Sequence, residues 1–284
     1  MMTEATELDV DALRGWIGRR ETVRDMLTPR LVRELQATLD QDAAVPEDGA
    51  KAPLAIHWCL APPAAPGSAL GPDGHPARGG FLPPVPLPRR MWAGGALRFH
   101  DRLRVDDAVE RRSRIADVSV KRGRSGTLCF VAVDHEIATA RGIAIAERQD
   151  IVYRALEDGS AKPPAPAALP RAEFRREMRA DPVLLFRYSA LTFNGHRIHY
   201  DRSYVTEVEN YPGLIVHGPL QATLLIEFAA ATEGRAPAGF TFRGVSPLFD
   251  FTPFALCARR NETGLALWIE TADGIRTMEA QATW

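Results

Sequence analysis

Three of the seven histidines of the chain, His196, His199 and His217, fall within one short stretch of the sequence. An imidazole takes up or releases a proton near neutral pH, so such a group suits general acid–base catalysis. Asn194 precedes them, and its amide can hold a water molecule but cannot take a proton. Gly218 follows His217 and opens an apolar segment, where a helix N-terminus would supply free backbone N–H groups. These residues together predict a base beside a site that stabilises an oxyanion.

The apolar segment after the histidines is predicted to be a helix over residues 218–233. Gly218-Pro219 at its start and Gly234 after its end are typical helix boundaries. Apolar residues lie on every side of this helix, which indicates that it is buried. Residues 183–188 alternate in polarity and are predicted to form a strand ahead of the histidine loop. The histidines should therefore lie between a strand and the N-terminus of a buried helix.

The composition is that of an ordinary globular protein: 284 residues, of which 45% are hydrophobic and 25% charged. The net charge of -1 and the lack of a basic stripe argue against a nucleic-acid partner. We expect no signal peptide and no membrane span, because no apolar run is long enough. The three cysteines lie far apart without metal-binding spacing, which predicts reduced thiols and a cytoplasmic location.

The N-terminal part of the chain combines predicted helices and strands with an irregular segment. Residues 8–40 are predicted to be helical, with Thr28 as an N-cap before Pro29. Residues 61–88 are rich in proline and glycine yet keep apolar side chains, which favours a lid or binding loop. Strands are predicted at 113–120, 127–133 and 143–154, the first two forming a hairpin.

The Pro/Ala-rich stretch 161–171 is predicted to be a semi-rigid linker. It would divide the chain into an N-terminal domain over 1–160 and a C-terminal domain over 172–284. Four further strands are predicted at 239–243, 251–259, 265–271 and 275–284. Asp273-Gly274 between the last two is typical of a type I′ hairpin turn. The expected class is α+β, a double hot dog in which two curved antiparallel sheets each wrap around a central helix.

The histidine stretch resembles a known motif. Residues 194–201, Asn-Gly-His-Arg-Ile-His-Tyr-Asp, with Val-His-Gly at 216–218, resemble the hydratase motif of MaoC-like (R)-specific enoyl-CoA hydratases and 3-hydroxyacyl-thioester dehydratases. That motif runs Asp-x-Asn-Pro-x-His-x-Asp, followed by His-Gly before the hot-dog helix. Residues 90–95, 123–126 and 147–154 are similar to the branch of mesaconyl-C4-CoA hydratases, itaconyl-CoA hydratases and type 2 mitochondrial dehydratases.

The resemblance implies roles for single residues. His199 falls on the catalytic histidine, and Gly218 falls on the glycine whose N–H binds the thioester oxygen. The implied activity is a hydro-lyase that adds or removes water across the 2,3 double bond of an enoyl-CoA, with a short or dicarboxylic acyl group. The substrate would carry CoA, with no other cofactor, no nucleic acid and no membrane as partner, and the protein would form a homodimer. The site would lie between the domains, with residues 61–88 over the acyl pocket.

Two departures from the family pattern concern the carboxylates. The catalytic aspartate of the family falls on Asn194, and the neighbouring asparagine falls on His196. Single-hot-dog dehydratases carry an acid on the helix, and the matching position is Thr223. Glu227 lies one turn beyond Thr223 on the same helix face and would act as an acid only if the pocket extends that far. The second proton-transfer group therefore stays open.

Several residues have plain alternatives to a role in the site. His196 could hold Asp201 or a backbone carbonyl, and His217 could pack between loop and helix. Asp201 could cap a short helix, and Glu227 could join the helix to the sheet or to the other domain. The residues expected to bind substrate through a carboxylate or a CoA phosphate could instead be strand-edge residues; they are Arg89, Arg90 and Trp92.

Other functions fit parts of the pattern. His199, Asp201 and His217 have the composition of a 2-His-1-carboxylate iron site, although the helix-centred context disfavours it. A thioesterase on the same fold would use Glu227 as base. A 3-hydroxyacyl-thioester dehydratase of fatty acid synthesis would use the same motif, and the missing aspartate leaves a non-catalytic acyl-binding module as a further alternative.

Overall fold

The computed structural model describes residues 8–123, 126–155 and 171–284. Their strands form one antiparallel sheet. The N-terminal half contributes five strands: β1 (Arg20–Met26), β2 (Arg89–Phe99), β3 (Ala108–Gly123), β4 (Gly126–Thr139) and β5 (Gly142–Arg154). The C-terminal half contributes five more: β6 (Phe174–Met178), β7 (Gly239–Gly244), β8 (Phe254–Asn261), β9 (Gly264–Thr271) and β10 (Arg276–Thr283).

The two halves of the sheet meet in the middle. The strand order is β1-β3-β4-β5-β2-β7-β10-β9-β8-β6, so every strand of one half lies on one side of the β2–β7 pair. That pair runs in register from Gly94 opposite Arg243 to Arg98 opposite Gly239. Because backbone hydrogen bonds cross this seam, the halves form one continuous sheet within the described part of the chain.

The helices are α1 (Val10–Arg14), α2 (Pro29–Thr38), α3 (Pro182–Leu191) and α4 (Gly218–Glu233). Helix α4 has the predicted bounds, and Gly234 ends it in the left-handed conformation with φ of 67°. It contacts β2, β7, β8, β9 and β10. Nine of its residues are buried, and the seven apolar ones among them belong with the buried face of α2 to one core. The C-terminal half of the sheet thus wraps around an apolar helix, as predicted.

The strand predicted at 183–188 is wrong, because the segment lies in helix α3. Asp181 caps it by accepting a hydrogen bond from Leu184 N, and Pro182 occupies the first turn. Its buried residues are Leu185, Tyr188 and Ser189, the i, i+3, i+4 spacing of a helix. The cap and the helical spacing of the buried residues therefore determine the structure of this segment.

Two other sequence predictions need correction. Residues 8–40 hold two helices with the strand β1 between them; the predicted Thr28 cap is confirmed by its hydrogen bond from Leu31 N. The β9–β10 hairpin forms, but φ is positive at Gly274 and not at Asp273, so its turn is not type I′. Residues 161–170 of the predicted linker lie outside the described residues.

Candidate active site

His199 lies at the end of a short 3-10 helix over residues 197–199, on the loop before α4. Its Nδ1 is 2.7 Å from the carbonyl oxygen of Ile215. A carbonyl can only accept, so Nδ1 carries the hydrogen and Nε2 keeps its lone pair. The loop therefore holds the ring in the tautomer that a base requires.

Burial keeps His199 neutral. Only 6% of the residue is exposed. Loss of solvent, together with the charge of His75, lowers the pKa of His199 to about 3, although the hydrogen bond to Ile215 acts in the opposite direction. At neutral pH the ring is therefore uncharged, and its Nε2 can accept a hydrogen bond.

His217 connects His199 to helix α4. It is the N-cap residue of α4, and its ring stacks on that of His199 with centroids 3.6 Å apart and planes 20° apart. Its Nε2 lies 2.8 Å from the Ser189 hydroxyl on α3. The residue is fully buried, and burial followed by the charge of His199 holds its pKa well below the ordinary value. His217 thus positions the ring of His199 against the helix end.

Gly218 lies at the N-terminus of α4, where the sequence predicts an oxyanion site. The first helical hydrogen bond runs from Gln221 N to the carbonyl oxygen of His217, so the N–H of Gly218 lies before the helical ladder. A Cβ at Gly218 would meet the carbonyl oxygen of Trp92 at 3.5 Å, an ordinary contact. The fold itself therefore does not require glycine, whose small size leaves space for a ligand close to the N–H.

The helix positions considered for an acid carry other contacts. The Thr223 hydroxyl is buried, donates to the carbonyl oxygen of Pro219 and lies 3.1 Å from the hydroxyl of Tyr188. The Glu227 carboxylate accepts a hydrogen bond of 2.9 Å from Leu54 N. That contact ties α4 to the N-terminal half, which is the plain alternative given above for Glu227.

Asn194 and Asp201 lie at the two ends of the motif. The Asn194 side-chain oxygen accepts a hydrogen bond of 3.0 Å from the backbone N of His196, which leaves its NH2 group to donate. The Asp201 carboxylate accepts from Tyr204 N at 3.0 Å and from Arg197 Nη2 at 2.8 Å. Asp201 therefore caps the short helical turn that begins at residue 202, which is the structural role considered above for it.

The geometry does not assemble the iron-site alternative. In the portion of the chain that the structure covers, one group of His, Cys, Asp or Glu donors lies within common reach of an ion, and it consists of Asp73, His75 and His196. The set of His199, Asp201 and His217 is not such a group. The Asp201 carboxylate instead accepts hydrogen bonds from Arg197 and from the backbone N–H of Tyr204.

His75 is the site residue that sequence reasoning missed. Its ring lies 4.1 Å from that of His196, which in turn lies 5.4 Å from His199, edge to face. Its Nδ1 is 3.0 Å from Asp73 Oδ2. The available signal was an Asp-Gly-His sequence inside the segment 61–88, which already stood out as a candidate lid.

The turn that carries His75 contacts the loop 194–201, called the motif loop below, through backbone atoms. The backbone N of Arg197 donates to the carbonyl oxygen of Asp73 at 2.9 Å. Gly74 has a φ of +86°, and a Cβ there would lie 1.9 Å from the carbonyl oxygen of Gly195. The contact therefore needs glycine at residue 74 for both conformation and space. Whether the rest of 61–88 covers an acyl pocket stays a prediction.

The three residues expected to bind substrate have different surroundings. Arg89 is buried, and its guanidinium donates to the carboxylate of Glu209 at 2.9 Å and lies over the Tyr211 ring. The ring N–H of Trp92 donates to the carbonyl oxygen of Gly94 at 2.8 Å. Arg90 is the one whose charge acts on the imidazole group, as described next; substrate contacts of all three stay predictions.

The charge of Arg90 acts on His75 and His196. Burial lowers the pKa of His75 and of His196, and the charge of Arg90 lowers both further. Burial alone would raise the pKa of the Asp73 carboxyl, but its contact with His75 and the charge of Arg90 bring it below the ordinary value. Asp73 is therefore ionised, the two imidazoles are neutral, and one guanidinium influences all three.

Comparison with known proteins gives consistent matches. Residues 55–250 match the family model described as hydroxyacyl-thioester dehydratase type 2. The chain is 46% identical to mesaconyl-C(4)-CoA hydratase of Chloroflexus aurantiacus, over 94% of this chain and 95% of that protein. It is 28% identical to the mitochondrial hydroxyacyl-thioester dehydratase type 2 of Schizosaccharomyces pombe, over 87% of this chain and 92% of that protein.

Solved structures match the fold. A MaoC-like dehydratase from Phytophthora capsici superposes with a TM-score of 0.70 at 14% identity, covering 98% of this chain and 99% of its own. HtdX of Mycobacterium tuberculosis gives a TM-score of 0.66 at 19% identity, over 93% and 99%. A second M. tuberculosis protein, described as a double hot dog, gives 0.55 at 12% identity, over 94% and 95%. The predicted double hot dog is thereby confirmed. Among the described helices, none is long and apolar enough to span a membrane.

Proposed function

The chain belongs to the hydroxyacyl-thioester dehydratase type 2 family and is a hydro-lyase, and from that premise we propose that it hydrates a short dicarboxylic enoyl-CoA of the mesaconyl-C4-CoA type. The observation that carries the chemistry is the position of His199: its Nδ1 hydrogen is held by Ile215 and its Nε2 lone pair is kept, beside the start of α4. The 46% identity to a mesaconyl-C(4)-CoA hydratase supports the acyl group.

The proposed reaction places the thioester oxygen at the N–H of Gly218. As the oxygen of water bonds to C3, His199 Nε2 takes a proton from that water. The electron pair of the 2,3 double bond then moves toward the carbonyl and forms an enolate. The helix N-terminus stabilises the charge on the enolate oxygen, because its N–H group and dipole face it. Asn194 holds the water through its NH2 group.

The imidazolium of His199 then returns its proton to C2, and the enolate collapses to the thioester. One water supplies the hydroxyl on C3 and the hydrogen on C2, so a single imidazole closes the proton balance. A second carboxylate is not required, which fits the amide at Asn194 and the hydroxyl at Thr223. The scheme uses the CoA of the substrate and no further cofactor; a cytoplasmic location and a homodimer remain predictions.

A panel of thioesters tests the proposal. Purified protein would be mixed with mesaconyl-C4-CoA, itaconyl-CoA, crotonyl-CoA and dodecenoyl-CoA, and loss of the enoyl absorbance would be followed. We expect turnover to be highest with the short dicarboxylic thioesters. Rates that rise from crotonyl to dodecenoyl, with mesaconyl-C4-CoA inert, would replace this proposal with the dehydratase of fatty acid synthesis, for which the similarity to the S. pombe protein speaks.

Measuring free thiol in the same reactions separates hydration from hydrolysis. A thioesterase would release CoA, whereas a hydratase leaves the thioester intact. We expect no thiol release, because the Glu227 carboxylate that would act as base already accepts the N–H of Leu54. A protein that binds acyl-CoA without either change would be a binding module.

A further inference from the structure

The imidazoles of the site form a row that starts at helix α4 and ends at the Pro/Gly-rich segment. The ring centroids of His217 and His199 are 3.6 Å apart, those of His199 and His196 are 5.4 Å apart, and those of His196 and His75 are 4.1 Å apart. The row thus has an inner end at Gly218 and an outer end at His75.

In the proposed reaction the enoyl thioester lies along this row of imidazoles. Its carbonyl oxygen lies at Gly218, at the inner end, and its C3 lies within reach of a water held by His199. Reacting atoms approach to about 3 to 3.5 Å, so a substituent on C3 lies only a bond length or two beyond them. Whatever C3 carries therefore points toward His196 and the outer end.

The outer end has the groups that bind a carboxylate. Arg90 brings a permanent positive charge with several N–H donors. His75 and His196 are partly buried imidazoles, and the charge of Arg90 lowers the pKa of both. Asp73 Oδ2 lies 3.0 Å from Nδ1 of His75, so the carboxylate fixes the orientation of the His75 ring beside His196. His196 belongs to the motif loop, His75 to the segment 61–88 and Arg90 to β2.

We propose that Arg90, His75 and His196 form a carboxylate-binding subsite that recognises the free carboxylate on C3 of a dicarboxylic enoyl thioester. In mesaconyl-C4-CoA this carboxylate is bonded directly to the carbon that water attacks. The inference rests on the proposed hydration and adds to it the residues that select the acyl group.

The subsite also bears on the base. A carboxylate bound at His196 puts a negative charge next to His199, and a nearby opposite charge favours the imidazolium form. The substrate would then supply the charge that the family's aspartate supplies elsewhere and that Asn194 cannot. Recognition of the carboxylate and activation of the base would be one event.

Paired substrates test the subsite. 3-Methylcrotonyl-CoA replaces the carboxylate of mesaconyl-C4-CoA with a methyl group, and crotonyl-CoA lacks the branch. For wild type, Arg90→Gln, Arg90→Lys and His75→Gln we would measure kcat and KM with mesaconyl-C4-CoA and crotonyl-CoA, and inhibition by 3-methylcrotonyl-CoA. The matched control is Arg98→Gln, an exposed arginine on the same strand.

Loss of a hydrogen bond to a charged group corresponds to a factor of about 10 to 100 in binding. We therefore expect Arg90→Gln and His75→Gln to lower the preference for mesaconyl-C4-CoA over crotonyl-CoA by that factor, mainly through KM. Arg90→Lys should keep part of the preference, and Arg98→Gln should keep all of it. Equal losses with both substrates, or unchanged preference, would overturn the proposal.

Two further measurements keep the test decisive. Should the Arg90 variants not fold, wild-type protein must bind mesaconyl-C4-CoA about 10- to 100-fold more tightly than 3-methylcrotonyl-CoA, and equal binding would overturn the subsite. Stoichiometric zinc or iron in purified protein that His75→Gln removes would also overturn it, since Asp73, His75 and His196 would then be metal ligands. If the protein hydrates crotonyl-CoA and mesaconyl-C4-CoA equally well, the subsite proposal fails and the hydratase activity is retained. If the protein hydrates no thioester, the proposed hydratase function itself fails.

Discussion

The molecule contains two clusters of buried histidines whose surroundings differ, one around Glu147 and one around His199. In the N-terminal half, the Glu147 carboxylate accepts hydrogen bonds from Trp58 at 2.8 Å and Gln149 at 2.9 Å, and His57 lies 3.5 Å away. Across the strands, His135 contacts the Ser113 hydroxyl at 2.8 Å. In the C-terminal half, His199 lies against a second imidazole and a helix N-terminus.

The difference lies in what surrounds the charge. Burial alone would raise the pKa of Glu147, but its contacts with His57, His135 and Gln149 lower it to about 2. This carboxylate stays ionised and accepts hydrogen bonds from the donors around it. These contacts hold β5 against the 3-10 turn Ile56–Cys59, which carries His57 and Trp58. His199 keeps a lone pair instead and stays neutral. A buried histidine is therefore suited to catalysis where one nitrogen is fixed and the other faces a developing charge.

The largest effect should follow from removing the base. General base catalysis contributes about two to four powers of ten in rate, so His199→Ala should lower kcat by 100- to 10,000-fold in the protein that remains folded. The control is His100→Ala, an exposed histidine directly after β2. Enoyl-CoA hydration by each variant measures the effect. Retention of most activity by His199→Ala would assign the chemistry to another residue.

The pH dependence should differ from that of an ordinary histidine. His199 is active in its neutral form, and its pKa in the folded protein is about 3. Activity should therefore stay level as pH falls through 6.5, the ordinary value, and decline only when pH approaches 3 or the fold is lost. A profile of kcat/KM for crotonyl-CoA between neutral pH and the onset of unfolding measures it. An acid limb at an ordinary histidine pKa would contradict the burial argument.

The N-terminal cluster should affect stability instead. Glu147→Ala leaves the Trp58 and Gln149 donors unpaired in the interior, and breaking such a buried network costs about 3 to 5 kcal/mol. Asp134→Asn, which removes an exposed carboxylate on β4 that pairs with Arg148, should cost less than about 1 kcal/mol. Chemical denaturation gives both values, and equal costs would show that the Glu147 network is not holding the fold.

The sign of the pH effect follows from the same carboxylate. The pKa of Glu147 is lower in the folded protein than its ordinary value of 4.5. Its contribution to stability is therefore complete above the ordinary value and is lost as pH falls toward about 2. Wild-type protein should lose more stability on acidification than Glu147→Gln does.

A smaller effect should come from the turn that carries His75. Gly74→Ala introduces a Cβ 1.9 Å from the carbonyl oxygen of Gly195, so the turn must move away from the motif loop. A displacement of this size can lower the rate by about 10- to 100-fold. Gly79→Ala is a matched control, since Gly79 also has positive φ, at +88°, but its nearest neighbour is Pro84 at 3.8 Å. Similar losses in both variants would point to backbone strain alone.

The sequence predicted helix α4 to its ends because its signals are local. The Gly-Pro pair, the apolar run and Gly234 all lie within the element. The strand predicted over 183–188 was wrong although Asp181 and Pro182 stood before it, because alternation of apolar residues was given more weight than the cap. Local patterns thus sufficed where a boundary signal and a periodicity agreed.

The site was predictable only in its local part. His199 and Gly218 are placed by a motif in one stretch of sequence. Arg90 was already expected to bind substrate, whereas His75 reaches the site through tertiary contacts from more than a hundred positions earlier. Neither hydrophobic periodicity nor spacing registers such contacts. The Glu147 cluster was likewise invisible, since it forms across β-strand registers.

The smallest effect should be that of Asn194→Asp, which restores the family's usual carboxylate. The new side chain keeps the oxygen that accepts the N–H of His196 at 3.0 Å, so the loop should fold unchanged. The added charge favours the imidazolium form of His199. We therefore expect kcat with crotonyl-CoA to be unchanged or a few-fold higher, whereas Asn194→Ala should lower it by less than His199→Ala does.

The same substitution distinguishes the two sources of negative charge. A carboxylate at residue 194 repels an anion at His196, so Asn194→Asp should raise KM for mesaconyl-C4-CoA while crotonyl-CoA is spared. Steady-state kinetics with both substrates measures this, and Asn194→Ala controls for loss of the amide. If Asn194→Asp improved turnover of both substrates alike, the dicarboxylic substrate would not be placing its charge near His196. If it abolished turnover of both while His199→Ala stayed active, the base would have to be sought at His196 or Glu227.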